Sequence, residues 1–392
     1  MNSRKNKRSN LLIDNDMRKL LIMAFVAIAL VANAQENTKK WYDNIKFSGY
    51  SMLQFQATDK YSNKTITKED GTKETIAVKD ADNAFNLRLA RFMLDGKISD
   101  FDWRVQIQGT NAKGAGEPTV QLVDLYAEWV RYKEARIKVG QFKRAFTFEN
   151  PMNPITQGWY SYANVVNALS GFGDRTGEKS SGGRDIGLQV QGDLFPNAQG
   201  RRLLHYQVGV YNGEGINTKE KDERKDFIGG VWVMPIAGLR LGVFGWTGSR
   251  GGMTDPRTGQ TVSMEKNRYA LSAEYDKNEY TFRAEYLHSQ GWGADKVGST
   301  TIDYSKGDKA DGLYALGIVP VIKSKLHAKA RYQLYRDNKD WKRSKTMYEV
   351  GANYFFNKNL QLNVEYARVN DRSIVCDKHN YNFFDAELDF RF

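Results

Sequence analysis

The connections between strand-like segments of this 392-residue chain alternate between short and long. Sixteen segments rich in aromatic and β-branched residues, from about residue 45 to the last residue, have the composition of strands. Every second connection is a turn of two to six residues, whereas the others are long and polar. Transmembrane barrels have short turns on one side of the membrane and long loops on the other. The sequence therefore predicts an all-β fold, a transmembrane antiparallel β-barrel of about sixteen strands.

Alternation within the strands gives each one an apolar face and a charged face. In FDWRVQIQ, residues 101–108, aromatic and aliphatic side chains alternate with charged and amide ones. The final segment, YNFFDAELDFRF, repeats the pattern and ends on an aromatic residue. Successive side chains of a strand point to opposite faces, and buried charge without partners is very costly. The charged face is therefore expected to line water, and sixteen strands enclose enough space for an aqueous channel.

Residues 1–34 have the organisation of a leader followed by a cleavable secretory signal. Two basic residues precede the apolar run Leu20–Ala32, and a small-x-small sequence ends at Ala34. We expect Met17 to be the true start, cleavage to follow Ala34, and residues 35–392 to form a single barrel domain. A transmembrane helix is the alternative, but it needs about 20 apolar residues. Export of a barrel predicts the outer membrane of a Gram-negative bacterium, with outer-membrane lipids around it.

Composition excludes several other classes of protein. Lys and Arg number 58 against 46 for Asp and Glu, and residues 1–34 contribute six of the bases and two of the acids. The remaining excess is small and scattered, so no nucleic-acid partner is predicted. Cys376 is the only cysteine, which excludes an internal disulfide. No metal, cofactor or catalytic residue is predicted, because the four histidines show neither metal-ligand spacing nor a local nucleophile. They are His205, His288, His327 and His379.

The third long connection, residues 142–182, is by far the longest, and loops of this size are usually functional. Folding it into the lumen would bury its aromatic side chains on the barrel wall and narrow the channel, which predicts a long inward-folded constriction loop. Charges at a constriction act strongly on a passing ion because the surroundings have a low dielectric constant. A solvated position on the outer part of the loop is the alternative for Arg175. The constriction residues we single out are Trp159, Tyr160, Tyr162, Asp174 and Arg175, with Lys143 and Arg144 at the start of the loop.

The second strand, FNLRLARFMLDG, contains one arginine that is out of phase. Arg88 shares the polar face with Asn86, whereas Arg91 falls on the apolar face. An arginine that faces lipid near the midplane costs about 2–4 kcal/mol. A bulge at Leu89–Ala90 would turn Arg91 inward at a lower cost. Two inward arginines side by side would attract an anion, since guanidinium groups suit phosphate and carboxylate oxygens.

The order of five segments resembles that of the phosphate-selective porin family, O and P types. The segments are FNLRLARFMLDGKI, FDWRVQIQ, VDLYAEWVRY, ARIKVGQFKRAFTFE and GGRDIGLQVQGDL. The resemblance covers most of the mature chain and implies a homotrimer of sixteen-stranded barrels, each with its own channel. It implies that Arg88 and Arg91 correspond to the family's arginine pair, and Lys143 and Arg144 to the basic start of its constriction loop. It also implies that Phe392 is the aromatic terminus recognised by the barrel-assembly machinery.

Basic residues on the polar face are expected to line the channel and bind anions. Besides the four just named, they are Arg104, Arg136, Lys138, Arg240, Arg283, Lys329 and Arg331. Acidic residues on this face are about as numerous, which weakens the steering of ions. The sequence therefore predicts a porin for passive diffusion of small hydrophilic solutes and ions, with a modest preference for anions and phosphate among the candidates. The alternatives are an oligosaccharide channel, for which the loop aromatics would serve, and a barrel-form enzyme.

Overall fold

The computed structural model describes residues 44–110, 120–178, 182–375 and 377–392. The expected leader, signal and cleavage site lie outside the described residues, as does Cys376. Within the described ranges, no helix is long and apolar enough to cross a membrane.

Twenty strands are described, and sixteen of them form one closed ring. In chain order they are β1 (Lys46–Thr58), β2 (Tyr61–Thr67), β3 (Lys73–Lys79), β4 (Asp82–Ile98), β5 (Phe101–Gly109), β6 (Val120–Tyr132), β7 (Ala135–Lys143), β8 (Arg184–Pro196), β9 (Arg202–Tyr211), β10 (Asp226–Val233), β11 (Leu239–Thr254), β12 (Thr261–Lys277), β13 (Tyr280–Gln290), β14 (Gly293–Ala294), β15 (Ile302–Asp303), β16 (Lys309–Ile322), β17 (Leu326–Arg336), β18 (Ser344–Asn357), β19 (Leu360–Asp371) and β20 (Asn380–Arg391). Strands β2–β3 and β14–β15 form two small sheets outside the ring. The predicted barrel of sixteen antiparallel strands is confirmed.

The first and last strands close the ring. β1 pairs with β20 in a register that sets Tyr50 opposite Arg391. Gly49 and Phe392 exchange two backbone hydrogen bonds, each 3.0 Å long. A Cβ atom on Gly49 would lie 2.4 Å from the Phe392 ring, so the absence of a side chain lets this ring lie over the seam. Closure removes the free edges that would otherwise pair with other chains.

The alternation of apolar and polar residues along each strand gives the ring an apolar outer face and a polar inner face. On β20, Phe384 and Phe390 are exposed, whereas Asp385, Glu387 and Asp389 are buried. The same division recurs on the other strands, where exposed aliphatic and aromatic side chains alternate with buried or half-buried polar ones. An apolar outer band around a polar interior is the arrangement of a transmembrane barrel.

Short turns and long loops alternate around the ring, as the sequence predicts. Asn278 and Glu279 form one of the turns, with φ of 55° and 69°, the left-handed conformation that two-residue hairpin turns need. We name the long connections L1 to L8 in chain order: 59–81, 110–119, 144–183, 212–225, 255–260, 291–308, 337–343 and 372–379. L3 contains a short 3₁₀ segment, Pro154–Thr156, and the helix α1, Asn164–Leu169.

Several loops contain more regular structure than the sequence analysis predicts. L1 contains the β2–β3 hairpin, whose short strands YSNKTIT and KETIAVK are mostly polar and therefore give only a weak apolar alternation. The β11–β12 pair continues past the predicted strand ends, with a register shift between Arg250 and Met253, and shortens L5 to six residues. L6 contains the two-residue strands β14 and β15, which are too short to give a sequence signal.

Candidate functional site

L3 packs against the polar face of the barrel. Its buried side chains include Phe146, Phe148 and Leu169, and they form an apolar cluster with Phe244 and Trp246 of β11. Helix α1 lies against β13, β16 and β17. The aromatic residues that the sequence analysis singled out in this loop therefore bury apolar surface against the wall.

Carboxylates of the wall accept hydrogen bonds from the backbone of L3. Glu285 of β13 accepts from the Phe148 and Glu149 amides, at 2.6 and 3.2 Å. Glu365 of β19 accepts from the Tyr160 amide through both carboxylate oxygens, at 3.1 and 3.0 Å. These loop amides are buried or half-buried, and an acceptor is needed for each buried backbone donor.

Basic side chains of the wall donate to the carbonyl oxygens of the same loop. Lys329 Nζ donates to Gly158 O at 2.8 Å, and Arg331 Nη1 donates to Ser161 O at 2.9 Å. Arg268 Nη1 of β12 likewise donates to Leu169 O at 2.8 Å. Much of the charge on the wall therefore holds L3 in place instead of facing solvent.

A buried ionic network joins the two ends of L3. Arg144 donates to Glu178, and its Nη1 lies 3.1 Å from Asp185 Oδ2. Lys266 of β12 lies 3.3 Å from Glu178 and 2.7 Å from Asp226. All five side chains are buried, and a buried charge keeps its ionised state only with such partners. The structure thus places Arg144 within the loop's attachment and not in open solvent.

Four of the predicted channel residues are partly exposed on the wall, and each has a carboxylate partner. They are Arg104 with Asp95 at 2.6 Å, Arg136 with Asp193 at 2.8 Å, Lys138 with Glu128 at 3.0 Å, and Arg240 with Glu274 at 2.7 Å. The balance of charge expected from the sequence is therefore achieved pair by pair. A neutral pair attracts an ion only weakly beyond its own contact distance.

Three other predicted channel residues lie beneath L3, and here the expectation of a water-lining position needs correction. Arg283 is bound by Glu274 at 2.5 Å and lies 3.7 Å from Glu149 of the loop. Lys329 donates to Glu365, and Arg331 is only 2% exposed. The loop covers these side chains because its oxygen atoms accept hydrogen bonds from N–H groups that do not bond to carboxylates of the wall.

The two arginines of the second strand both reach inward partners, but they do not form a free pair. Arg88 Nη1 donates to both oxygens of Glu387 at 2.8 Å, so its charge is compensated. Arg91, 2% exposed, donates to Gln108 and to the Tyr50 hydroxyl, each at 2.8 Å. Its partners are neutral, and none of the ion pairs within the described residues includes Arg91. The expected bulge at Leu89–Ala90 stays a prediction, because the β4–β5 register is regular from Ala90 onward.

Lys143, the last residue of β7 before L3, also has neutral partners in the described part of the chain. Its Nζ donates to Asn150 O and the Tyr162 hydroxyl at 3.2 Å, and to Met152 O. Arg184, the first residue of β8 after L3, lies nearby. A Cβ placed on Gly182 would be 3.2 Å from Lys143 Cε and 3.0 Å from Arg184 Nη1. Arg184 is held by Asp124, which is the carboxylate partner of this corner of the wall.

The predicted aromatic constriction is mostly covered. Trp159 is 2% exposed, and its ring lies under Lys329 and Arg331, at 4.9 and 4.6 Å. Tyr160 packs on Phe383, and Tyr162 packs on Phe172. A sugar needs an accessible aromatic face, so these contacts do not favour the oligosaccharide alternative.

Asp174 and Arg175 lie in a buried part of L3 and not on a solvated outer segment. Arg268 binds Asp174 through both carboxylate oxygens, at 2.6 and 2.8 Å. Burial alone would raise the pKa of Asp174, but Arg268 and hydrogen bonds from Thr176 hold that pKa below its ordinary value. Arg175 donates to backbone carbonyls of L6 and L7. The charged groups of Asp174 and Arg175 therefore hold L3 to the barrel wall and to the neighbouring loops.

Two polar clusters elsewhere have the residue types of other sites but not the required arrangement. Ser324 donates to Glu279 at 2.8 Å, and His327 contacts the same carboxylate at 3.0 Å, so the imidazole does not contact the hydroxyl as nucleophile activation requires. In L4, carboxylate oxygens of a three-acid group approach within 4.8 Å of one another, but ammonium groups of Lys221 and Lys225 neutralise two of the acids. The group consists of Glu214, Glu220 and Asp222.

The closed ring, its apolar outer face and its charged inner wall define a porin, an outer-membrane channel of Gram-negative bacteria. A family model described as Gram-negative porin matches residues 212–373. A second model, described as phosphate-selective porin O and P, matches residues 66–283, more than half of the chain. The chain belongs to the phosphate-selective porin O and P family, which confirms the resemblance seen in the sequence. A comparison with curated proteins finds no match.

Solved porins have the same fold at low sequence identity. OmpF of Salmonella typhi, in complex with daunomycin, is 14% identical over 91% of this chain and 100% of its own, with a TM-score of 0.62. The anion-selective porin of Comamonas acidovorans is 9% identical over 89% and 99% of the two chains, with a TM-score of 0.57. The channel DcaP of Acinetobacter baumannii is 10% identical over 89% and 97%, with a TM-score of 0.56. At these identities the likeness establishes the fold alone.

Proposed function

We propose that this porin is a passive channel for small hydrophilic solutes and ions, narrowed by L3, with a modest preference for anions. The observation that carries the anion preference is the corner formed by Arg91 and Lys143. Both cations have neutral partners, whereas the other predicted channel cations have carboxylate partners. Asp124 contacts Arg184 directly, so this one carboxylate faces three basic side chains in the corner. The uncompensated field acts through a low-dielectric wall on whatever passes.

Inorganic phosphate and carboxylates are the anions that this corner suits best. A guanidinium group offers a planar set of donors, and the ammonium group of Lys143 adds a compact charge beside it. The two hydroxyl groups, of Tyr50 and Tyr162, lie within hydrogen-bonding distance of these cations. Support for selectivity is therefore local to this corner, since the rest of the wall is balanced.

The test is the reversal potential of planar bilayers across a KCl gradient, repeated with potassium phosphate. Arg91→Gln and Lys143→Gln should each lower the anion-to-cation permeability ratio about two- to fivefold, which corresponds to loss of one charge at close range. Lys64→Gln, in the exposed β2–β3 hairpin, removes the same charge away from the corner and should leave the ratio unchanged. Equal ratios in all four proteins would refute the assignment of selectivity to this corner.

We also propose that the barrels assemble as homotrimers through the outer face of β20, β1 and β4. Two groups of phenylalanine rings lie on this face, Phe47–Phe92–Phe392 and Phe55–Phe85–Phe384. Phe85 is 86% exposed. Membrane interfaces are normally anchored by Tyr and Trp, which have a polar group for the headgroup region. Phenylalanine has none, so a dense phenylalanine patch suits contact with another protein better than contact with headgroups.

Export and assembly complete the proposal. We propose that the signal is removed after Ala34 and that the barrel-assembly machinery recognises the aromatic terminus Phe392. Amino-terminal sequencing of protein isolated from outer membranes should begin at Gln35. A sequence beginning at Met17 would contradict cleavage and would favour an uncleaved anchor.

A further inference from the structure

We infer that Arg175 is a positioning residue that couples the outer loops L6 and L7 to L3, so that displacement of L6 changes conductance. The inference rests on the proposed role of L3 as the constriction. It concerns a four-residue segment of L3, Asp174–Gly177, which we call the loop junction.

The guanidinium of Arg175 is bound almost entirely by backbone carbonyls of two outer loops. Its Nη2 donates to Lys306 O at 2.8 Å, to Gly307 O at 3.2 Å and to Asp337 O at 2.7 Å. Its Nη1 donates to Gly291 O. Lys306, Gly307 and Gly291 belong to L6, and Asp337 begins L7. One side chain of L3 therefore fixes the positions of two loops that lie far away in sequence.

Backbone bonds of the junction reinforce this attachment to L6. The Ala294 amide donates to Arg175 O at 2.7 Å, and the Gly298 amide donates to Gly177 O at 2.8 Å. Gly177 has φ of +79°, and a Cβ atom there would lie 2.8 Å from both Ser299 O and Ala294 Cβ. The close approach of L6 thus needs a glycine at this position.

The junction is also attached to the barrel wall. Arg268 of β12 binds the Asp174 carboxylate, which in turn accepts from the Gly171 amide at 2.9 Å. Arg250 of β11 donates to Thr176 O. Movement of L6 must therefore either break the hydrogen bonds to Arg175 or transmit force to the segment of L3 that follows α1. Gly171 and Asp174 lie two and five residues beyond the last residue of this helix, Leu169.

Arginine is required at this position because of the geometry of its donors. Its planar group presents five N–H donors in a fixed arrangement, so several carbonyls from different loops can be bound at once. Lysine would keep the charge but, as a compact ammonium at the end of a flexible chain, would not span the same carbonyls. The exposed Arg257 of L5 provides a matched control, because it also contacts L6, with its guanidinium 3.4 Å from the Tyr304 ring centroid.

The experiment is a cycle of substitution and loop cleavage in single-channel recordings. A specific protease site is inserted between Lys296 and Val297, at the exposed tip of L6, in the wild type, Arg175→Gln, Arg175→Lys and Arg257→Gln. The migration of each unheated barrel in SDS gels verifies that it is folded. In the wild type and in Arg257→Gln, cleavage should raise the frequency of conductance substates about tenfold, the scale of losing one strong hydrogen bond to a charged donor.

Arg175→Gln should show the raised frequency before cleavage, and cleavage should then add less than about twofold; Arg175→Lys should lie between. Such non-additivity is the signature of coupled residues. Equal effects of cleavage in the wild type and Arg175→Gln would overturn the coupling. If neither change altered the recordings while Lys143→Gln still shifted selectivity, the coupling alone would fail. If Lys143→Gln also had no effect, the proposed function would fail with it.

Discussion

Glu149 shows at the scale of one residue how L3 is held. Its carboxylate accepts from the Ala163 amide at 2.9 Å, and its other oxygen has no hydrogen-bond donor and lies 3.7 Å from Arg283. Burial raises the pKa of Glu149 to about 7. The nearby Glu285 carboxylate adds to this rise, and Arg283 and Arg331 only partly oppose it. The loop therefore contains an acid that is stable in its resting position mainly when protonated.

The sign of the pH dependence follows from this raised pKa. In a detached loop the carboxyl would ionise near its ordinary pKa of about 4.3. Attachment is therefore fully stabilised below about pH 4 and weakens as the pH rises through 7, because the attached state binds the extra proton in this range. Recordings of loop-related substates should show roughly 50- to 100-fold more events at pH 8 than at pH 5, because nearly two pH units of proton linkage lie between these values.

Glu149→Gln should remove most of this pH dependence, since the amide oxygen can still accept from Ala163 but does not titrate. Glu69→Gln, in the exposed tip of L1, is the matched control and should behave like the wild type. The same pH profile in Glu149→Gln and in the wild type would show that another group is responsible.

At the scale of elements, strands of the ring could be predicted from sequence because each has one apolar face. The alternation in β20 alone gives the correct orientation of Asp385, Glu387 and Phe384. The position of Arg91 could also be argued, because lipid exposure of arginine has a known cost. The β2–β3 hairpin could not be identified, since its strands are short and mostly polar.

The partners of the wall charges could not be predicted in the same way. A sequence shows that Arg331 and Glu349 lie on the polar face, but not that they face each other at 2.6 Å under L3. Cross-strand register, not composition, determines which cation has a carboxylate neighbour. The sequence supports a channel position equally for Lys143 and for Lys329. In the structure, however, Lys143 has neutral partners and Lys329 binds Glu365. Local sequence contains no signal for that difference.

At the scale of the whole molecule, the distribution of phenylalanine on the outer face predicts how barrels associate. Phe85→Ser should lower the fraction of trimers in detergent, because it removes the most exposed ring of the patch. Phe227→Ser is the matched control: it lies at the same end of the barrel, is 53% exposed, and is on the far side of the ring. Sedimentation velocity measures both.

A trimer fraction that falls equally in the two variants would indicate general destabilisation of the barrel. No change in either variant would move the interface away from β20, β1 and β4. A fall confined to Phe85→Ser supports the proposed face.

The attachments of L3 also impose an order on biosynthesis. The loop is translated early, directly after β7, but its bonding partners Glu285, Lys329, Arg331 and Glu365 lie on strands made much later. Even β20, the last strand of the ring, contributes, because Arg391 donates to Ile155 O at 3.1 Å. A nascent barrel that lacks these strands also lacks the side chains that form these hydrogen bonds with the loop. The channel can therefore acquire its final bore only after the last hairpin has been added.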